Sequence, residues 1–331
     1  MFSENISAFF QNINLEKMRL ADVPICVFFC GGENRIDSSE DTIPSMRYMV
    51  LQKIKADDPT LFRQIVLAES FQDWINQDVD ITNLIDLEVL LAELATLVVL
   101  IVEGPGAYAE LGVFSVIESI QKKLLPIVNT TVIQERSFVN YGPIDYLKNE
   151  KPETEISELT WKVHIESSDN KILSSIDTSD SNLEATVGVI IEDINDSLNK
   201  KNVESPLINI EMKGHVFILI HEIVYLLQAV LAKEVKFILG NFFNINYETK
   251  YIRKILYILT KLNFVEKSKI KKNDNLYYLS KTNHSLFKYS YKSSDESLKK
   301  DNFVSHILLH YFEEPKEKRR LLAINNRAQG E

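Results

Sequence analysis

Residues 97–115 read Leu-Val-Val-Leu-Ile-Val-Glu-Gly-Pro-Gly-Ala-Tyr-Ala-Glu-Leu-Gly-Val-Phe-Ser, and this stretch limits the fold more than any other. Six apolar residues, Leu97–Val102, leave no polar face and suit a strand covered on both sides, as in a parallel sheet. Glu103 ends the run. Gly104-Pro105-Gly106 then makes a turn where backbone can come close to a ligand. Glu110 falls in the first turns of the next helix, expected over Glu110–Lys123, near the positive end of its dipole. Ligands of open parallel sheets bind beyond the carboxyl ends of strands. A carboxylate held there can stabilise an oxocarbenium-like sugar or attack its anomeric carbon. A βα turn carrying a surface glutamate accounts for the spacing equally well.

The surrounding pattern predicts an α/β domain. Strands are expected at Pro24–Cys30, Gln64–Glu69, Leu97–Val102 and Leu124–Val128, with helices at Thr42–Ile54, Asn83–Leu94 and Glu110–Lys123 between them. Such alternation is the signature of a parallel sheet. Residues 1–148 are read as this domain. Residues 149–213, charged at first and then rich in Ser and Asp, read as a linker or elaboration with a helix at Ala185–Leu198. Residues 214–331 have another order: helices at His215–Ala232, Glu234–Asn241 and Asn246–Leu262, then strands at Phe264–Lys269 and Asn275–Ser280 flanking the polar tip 270–274. Helix, helix, basic helix and basic hairpin is the order of a winged helix. Helical additions and an unanchored basic tail around Lys318-Arg319-Arg320 are expected beyond residue 283.

The formal net charge of −10 conceals a division. Residues 1–232 hold 17 Lys and Arg against 36 Asp and Glu, whereas residues 233–300 hold 15 against 6. An acidic front and a basic back point to different partners. Cys26 and Cys30 form neither a metal spacing nor a disulfide framework, so buried reduced thiols are expected. The N-terminus has no signal-peptide pattern. The apolar stretch Val216–Ala232 contains His221, Glu222 and Gln228, which suits a buried helix rather than a membrane span. A cytoplasmic protein without membrane contact is therefore expected. The six His assemble no ligand set, so no metal is expected.

Gly31-Gly32 follows the first strand, where small residues admit phosphate or ribose; a tight turn is the alternative. Glu103 could hold sugar hydroxyls or orient the base, beside Glu110 as nucleophile or cation stabiliser; a solvated strand-end carboxylate is the alternative. Arg136–Pro143 mixes a cation, two aromatics, an amide and a Gly-Pro turn. It suits base stacking through Asn140 and Tyr141, or serves as a packed surface loop. In the basic half, Lys250, Arg253 and Lys254 on the third helix and Lys267, Lys269, Lys271 and Lys272 on the hairpin suit salt-sensitive nucleic-acid binding. The alternative is a protein-contact wing with solvated lysines.

These residues carry a resemblance. Phe28–Gly32, Glu103–Ser115 and Arg136–Pro143, in that order, resemble the effector subunits of retron anti-phage systems. Those combine a nucleoside-deoxyribosyltransferase-like domain with a winged-helix domain. The resemblance implies an N-glycosidic bond of NAD or a nucleotide as target, with NAD or nucleotide as substrate and no separate cofactor. It implies Glu110 as the catalytic glutamate; the substrate site is expected at Gly31, Gly32, Gly104, Gly106, Tyr108, Asn140 and Tyr141. It implies restraint by a reverse transcriptase and its branched RNA–DNA product. A homo-oligomer is expected, because such folds often complete the site from a neighbour. One departure stands out: Thr96 occupies the place where the family often has an acid, which puts base selectivity or turnover in doubt. Two other readings remain open. One is a salvage deoxyribosyltransferase or phosphoribohydrolase, which would not need a basic winged helix. The other is a nucleotide-sensing transcription regulator without catalysis, against which an intact Glu110 argues.

Overall fold

A computed structural model describes residues 4–34, 43–71, 81, 83–130, 137–168, 171–201, 205–269 and 276–328. The chain is mixed α/β and divides into two compact units. One comprises residues 24–70 and 91–204; the other comprises 1–23, 71–90 and 205–331.

The first unit is built on a five-stranded parallel sheet. In chain order its elements are β1 (Val27–Cys30), helices α1 (Met46–Asp57) and α2 (Pro59–Gln64), β2 (Ile65–Val66), β3 (Leu97–Val102), helix α3 (Pro105–Phe114), β4 (Leu124–Asn129) and β5 (Ser157–Leu159). The strands lie in the order β2-β1-β3-β4-β5. Every residue of β1, β3 and β4 is buried, which is why these segments read as unbroken apolar runs. Alternate residues serve opposite faces. Val27, Phe29, Val99 and Ile101 face Met46, Val50 and Ile54 of α1, while Phe28 meets Phe114 of α3 edge-on at 6.4 Å.

The chain departs from the expected bounds in four places here. The Pro at the first helical position starts α3 at Pro105, and the helix ends at Phe114, so Glu110 lies in its second turn. The remainder of the expected Glu110–Lys123 helix is a separate turn, Glu118–Gln121. The strand expected over Gln64–Glu69 pairs only at Ile65 and Val66, because α2 runs to Gln64. Residues 149–213 contain more than a linker. β5 extends the sheet, Val163–Ser168 (β6) and Lys171–Ile176 (β7) form an antiparallel pair, and α4 (Leu183–Lys201) lays Leu183, Val187, Ile190, Ile194 and Leu198 into the core. That helical spacing outweighs the Ser- and Asp-rich composition before it.

The second unit contains α5 (Lys213–Leu227), α6 (Ala232–Phe243), α7 (Thr249–Lys261), and the antiparallel strands β8 (Val265–Lys269) and β9 (Leu276–Ser280). Val230, between α5 and α6, exchanges both backbone hydrogen bonds with Tyr278 of β9 at 2.9 and 3.0 Å. The N-terminal residues belong to this unit rather than to the sheet. Phe9 of the helix Glu4–Asn12 stacks on Phe303 at 3.9 Å, and Arg19–Leu20 pairs with Phe287–Lys288. Helices α8 (Lys300–Glu313) and α9 (Lys318–Ala328) close the chain.

The basic tail expected at Lys318–Arg320 is anchored. Arg320 is buried; its guanidinium bonds Glu234, Glu317 and the carbonyl of Ala229, and lies between the rings of Tyr277 and Tyr311. A charge run in the sequence does not reveal that one of its members has buried carboxylate partners. No described helix is long and apolar enough to cross a membrane.

Candidate active site

The strand order reverses between β1 and β3, since β2 lies on one side of β1 and β3, β4 and β5 on the other. Open α/β sheets bind ligands in the crevice at such a switch point, beyond the carboxyl ends of the strands. Gly31 and Gly32 follow β1 there, and Glu103 and Gly104 follow β3.

Glu103 is committed to the protein. Its Oε1 accepts from the backbone N–H of Gly32 (3.1 Å) and of Arg47 (3.0 Å), and its Oε2 accepts from that of Met46 (2.7 Å). Met46 and Arg47 are the first residues of α1, so the carboxylate fills the position where an anion would bind a helix N-terminus. Ser45 completes this end by accepting from the N–H of Tyr48. Burial pushes the Glu103 carboxyl above its ordinary range, against the three N–H donors and the Arg47 cation, which pull it down. A group so engaged has little left for sugar hydroxyls.

The same contacts explain both glycines after β1. Gly31 has φ +149°, and a Cβ there would come within 3.1 Å of the Ile101 carbonyl. A Cβ on Gly32 would lie 2.9 Å from the Glu103 carboxylate. By contrast, a Cβ on Gly104 or Gly106 would meet nothing within 4 Å. Nothing in the described chain requires glycine at these two positions. Gly104 caps α3 without a side-chain bond, Tyr108 is half-buried in the first turn, and Glu110 is half-buried one turn later.

Two further charged groups lie here, and the sequence reading missed both. Arg47 is buried in α1. Its guanidinium binds Glu69 in bidentate fashion at 2.7 and 3.0 Å, and also donates to the carbonyls of Phe29 (2.9 Å) and Gly32 (3.2 Å). Burial disfavours its charge, but the bonds to Glu69 and the fields of Glu69, Cys30 and Glu110 outweigh burial, and its pKa rises. Nothing in the helical spacing of Thr42–Ile54 singles Arg47 out. Glu69 follows β2, the third strand end at this crevice.

Beyond β4, Asn140 is buried in a wide turn, Asn140–Ile144, that packs against α3. Pro143 lies inside it and cannot donate the bond of a regular helix. Tyr141 and Phe138 are exposed there; Arg136 lies outside the described residues. Thr96 lies at the other end of β3. It pairs with Cys26, accepting from the Cys26 N–H at 3.2 Å and donating its own N–H to the Cys26 carbonyl at 2.7 Å. Six strand residues, about 20 Å of chain, separate it from Glu103. The departure at Thr96 is therefore distant from the crevice.

The residues expected to bind nucleic acid separate into three groups. Lys250 and Arg253 are exposed on α7. Lys254, on the same helix, is held by Asp86 at 2.6 Å, and Lys267 lies over the ring of Tyr257 at 5.4 Å, so both are partly engaged already. Lys269 ends β8, while Lys271 and Lys272 lie outside the described residues.

The chain is a mixed α/β protein whose parallel sheet has Arg47, Glu69 and Glu103 joined in one network at the strand ends of its switch point. Residues 44–267 match the model of the STM3845 retron effector protein family, and the chain belongs to that family. It is 32% identical over 131 residues to an Escherichia coli protein named "Retron Ec86 putative ribosyltransferase/DNA-binding protein", covering 39% of each chain. It is 40% identical over 62 residues to the corresponding Retron Ec73 protein of Escherichia coli, covering 19% of this chain and 20% of that one. The matched stretches thus span well under half of either relative.

Proposed function

We propose that this protein is the toxic effector of a retron anti-phage system and hydrolyses the N-glycosidic bond of NAD or a related nucleotide through Glu110. In this reading the α/β unit is a nucleoside-deoxyribosyltransferase-like domain. The other unit is a winged helix, a reading supported by its helix, bridge, helix, helix, hairpin order and by the Val230–Tyr278 pairing. The observation that carries the catalytic reading is the placement of Glu110: half-buried, one turn into the helix that leaves the central strand at the switch point. The ribosyltransferase named in the Escherichia coli relatives supports the same chemistry.

The step balances simply. The Glu110 carboxylate attacks C1′ or stabilises its developing positive charge while the C1′–N bond breaks and the base departs with the bonding electrons. Water then delivers hydroxide to C1′, breaking the C1′–O bond to Glu110 where one has formed and returning the carboxylate, and one proton is released. Gly104 and Gly106 give the sugar backbone to approach, Tyr108 and Asn140 line its flank, and Tyr141 offers a ring to the base. Gly31 and Gly32 shape the floor through their contacts with Arg47 and Glu103.

Glu110→Gln keeps the size of the side chain and removes the charge. Nicotinamide release from NAD, followed by chromatography, should fall by about three powers of ten with the fold intact, and toxicity should fall with it. Release at the wild-type rate would overturn the assignment.

A further inference from the structure

Helix α8 is apolar on two faces. Phe303, Ile307 and Tyr311 repeat every four residues and are buried within their unit. Leu308, Leu309 and Phe312 lie on the other side and stay 37, 52 and 71% exposed. Single exposed apolar residues are ordinary; three on adjoining turns, the largest the most exposed, make a stripe that suits a second surface. Ser305 falls on the same stripe, at the i, i+3, i+4, i+7 spacing that joins it to Leu308, Leu309 and Phe312. Its hydroxyl already donates to the Asp301 carbonyl at 3.1 Å, so this shallow position can be covered without orphaning a donor. Asp301, one turn earlier, has Lys300 beside it at 3.5 Å, yet its side chain is 93% exposed. Lys316, four residues past Phe312, is exposed in the turn before α9.

The order Asp301, Ser305, Leu308, Leu309, Phe312, Lys316 is its own complement when reversed. About a point between Leu308 and Leu309, the large ring of Phe312 is the counterpart of the small Ser305, and the cation Lys316 is the counterpart of the anion Asp301. We propose that α8 is a homodimer interface in which two copies of this chain pack antiparallel around a two-fold axis at that point. Phe312 of each copy then lies over Ser305 of the other, Leu308 over Leu309, and Asp301 opposite Lys316. A two-fold contact requires this reciprocity, because the same patch must fit itself. Two antiparallel helices packed side by side supply it along one stripe. A surface for an unrelated partner has no need of such symmetry in size and charge. The interface is independent of the chemistry proposed for Glu110.

The test is a sedimentation and light-scattering series on the purified full chain, with neither substrate nor nucleic acid present. Wild type should be a dimer. Phe312→Asp, at an exposed position where the fold has little to lose, should raise the dimer dissociation constant about a hundredfold or more. Asp301→Lys alone, and Lys316→Asp alone, each set like charges together twice across the axis and should weaken the dimer by about tenfold. Mixed with each other, these two variants should recover wild-type affinity as a heterodimer, since both pairings are then opposite in sign. A monomeric wild type overturns the proposal, as does a dimer that Phe312→Asp leaves intact, which would put the contact on another face. Mixed charge variants that bind no better than each alone overturn the antiparallel pairing. A purified chain that is monomeric, while Phe312→Asp loses a different protein from the operon pull-down, would assign the stripe to that protein instead.

Discussion

Two carboxylates seven residues apart, Glu103 and Glu110, meet very different surroundings. Glu103 and Glu110 both looked like site acids in the sequence, because both flank the Gly-Pro-Gly turn. What separates them is three backbone N–H groups that no spacing rule reveals, two of them at the start of a helix more than fifty residues away in the chain. Glu103→Gln tests this. Gln can keep Oε1 facing Gly32 and Arg47, but its amide then points an NH2 at the Met46 N–H, donor against donor. Urea unfolding should show a loss of about 1–3 kcal/mol at neutral pH. A variant as stable as wild type would return Glu103 to the groups available to substrate. The buried His221 gives a second residue-scale expectation. Its Nε2 meets the hydroxyls of Ser280 (3.0 Å) and Thr282 (3.2 Å), and burial together with nearby His284 holds its pKa down at about 4. The unfolded chain binds a proton here from about pH 6.5 downward, and the folded chain only near 4. Protonation therefore favours unfolding, and stability should fall as pH drops through that window, by roughly 3 kcal/mol for this group. His221→Gln should flatten that fall in an unfolding series from pH 7 to 4; an unchanged slope would mean that another group controls it.

The sheet could be read from sequence because its strands are apolar on both faces, and Leu97–Val102 falls where it was expected. Helix ends were harder. Pro105 drew α3 forward by five residues, and the break before Glu118 follows no strong local signal. β5 was illegible because three residues, Ser-Glu-Leu, carry no period; only pairing with β4 defines them. α9 shows the same limit. Its helical pattern does not show that Arg320 is tied down by partners far off in the chain, Glu234 of α6 and Glu317 of the turn before α9. Arg320→Ala would leave Glu234 half-buried without its cation. The expected cost is about 3–5 kcal/mol, with α9 released first. Limited proteolysis should then cut within 318–328 well before the rest of the chain; a digestion pattern like wild type would mean that α9 is held by its apolar contacts alone.

At the scale of the molecule, the charge division makes separate partners for the two halves a testable expectation, and α7 is where the basic half can be tested within the described residues. Lys250 and Arg253 are exposed one turn apart, whereas Lys254 is neutralised by Asp86 and Lys267 is held over Tyr257. If nucleic acid lies along α7, the first two residues make phosphate contacts and Lys254 contributes less. Each phosphate contact adds about 0.7–0.9 to the slope of log affinity against log salt. Lys250→Gln with Arg253→Gln should therefore lower that slope by roughly 1.4–1.8, and Lys254→Gln should lower it by much less. Fluorescence anisotropy across a salt series, with single-stranded and duplex probes, gives both numbers. Equal effects from all three positions would mean that the Asp86 pair opens on binding. No effect from any would make the basic face a protein surface. The proposed restraint by a reverse transcriptase and its branched RNA–DNA product makes a matching demand. Tagged wild type expressed from its operon should bring down both, as a homo-oligomer by light scattering, and the Lys250, Arg253 variant should lose the nucleic acid first. A monomer free of nucleic acid and polymerase would overturn that assembly and favour a free-standing nucleoside enzyme.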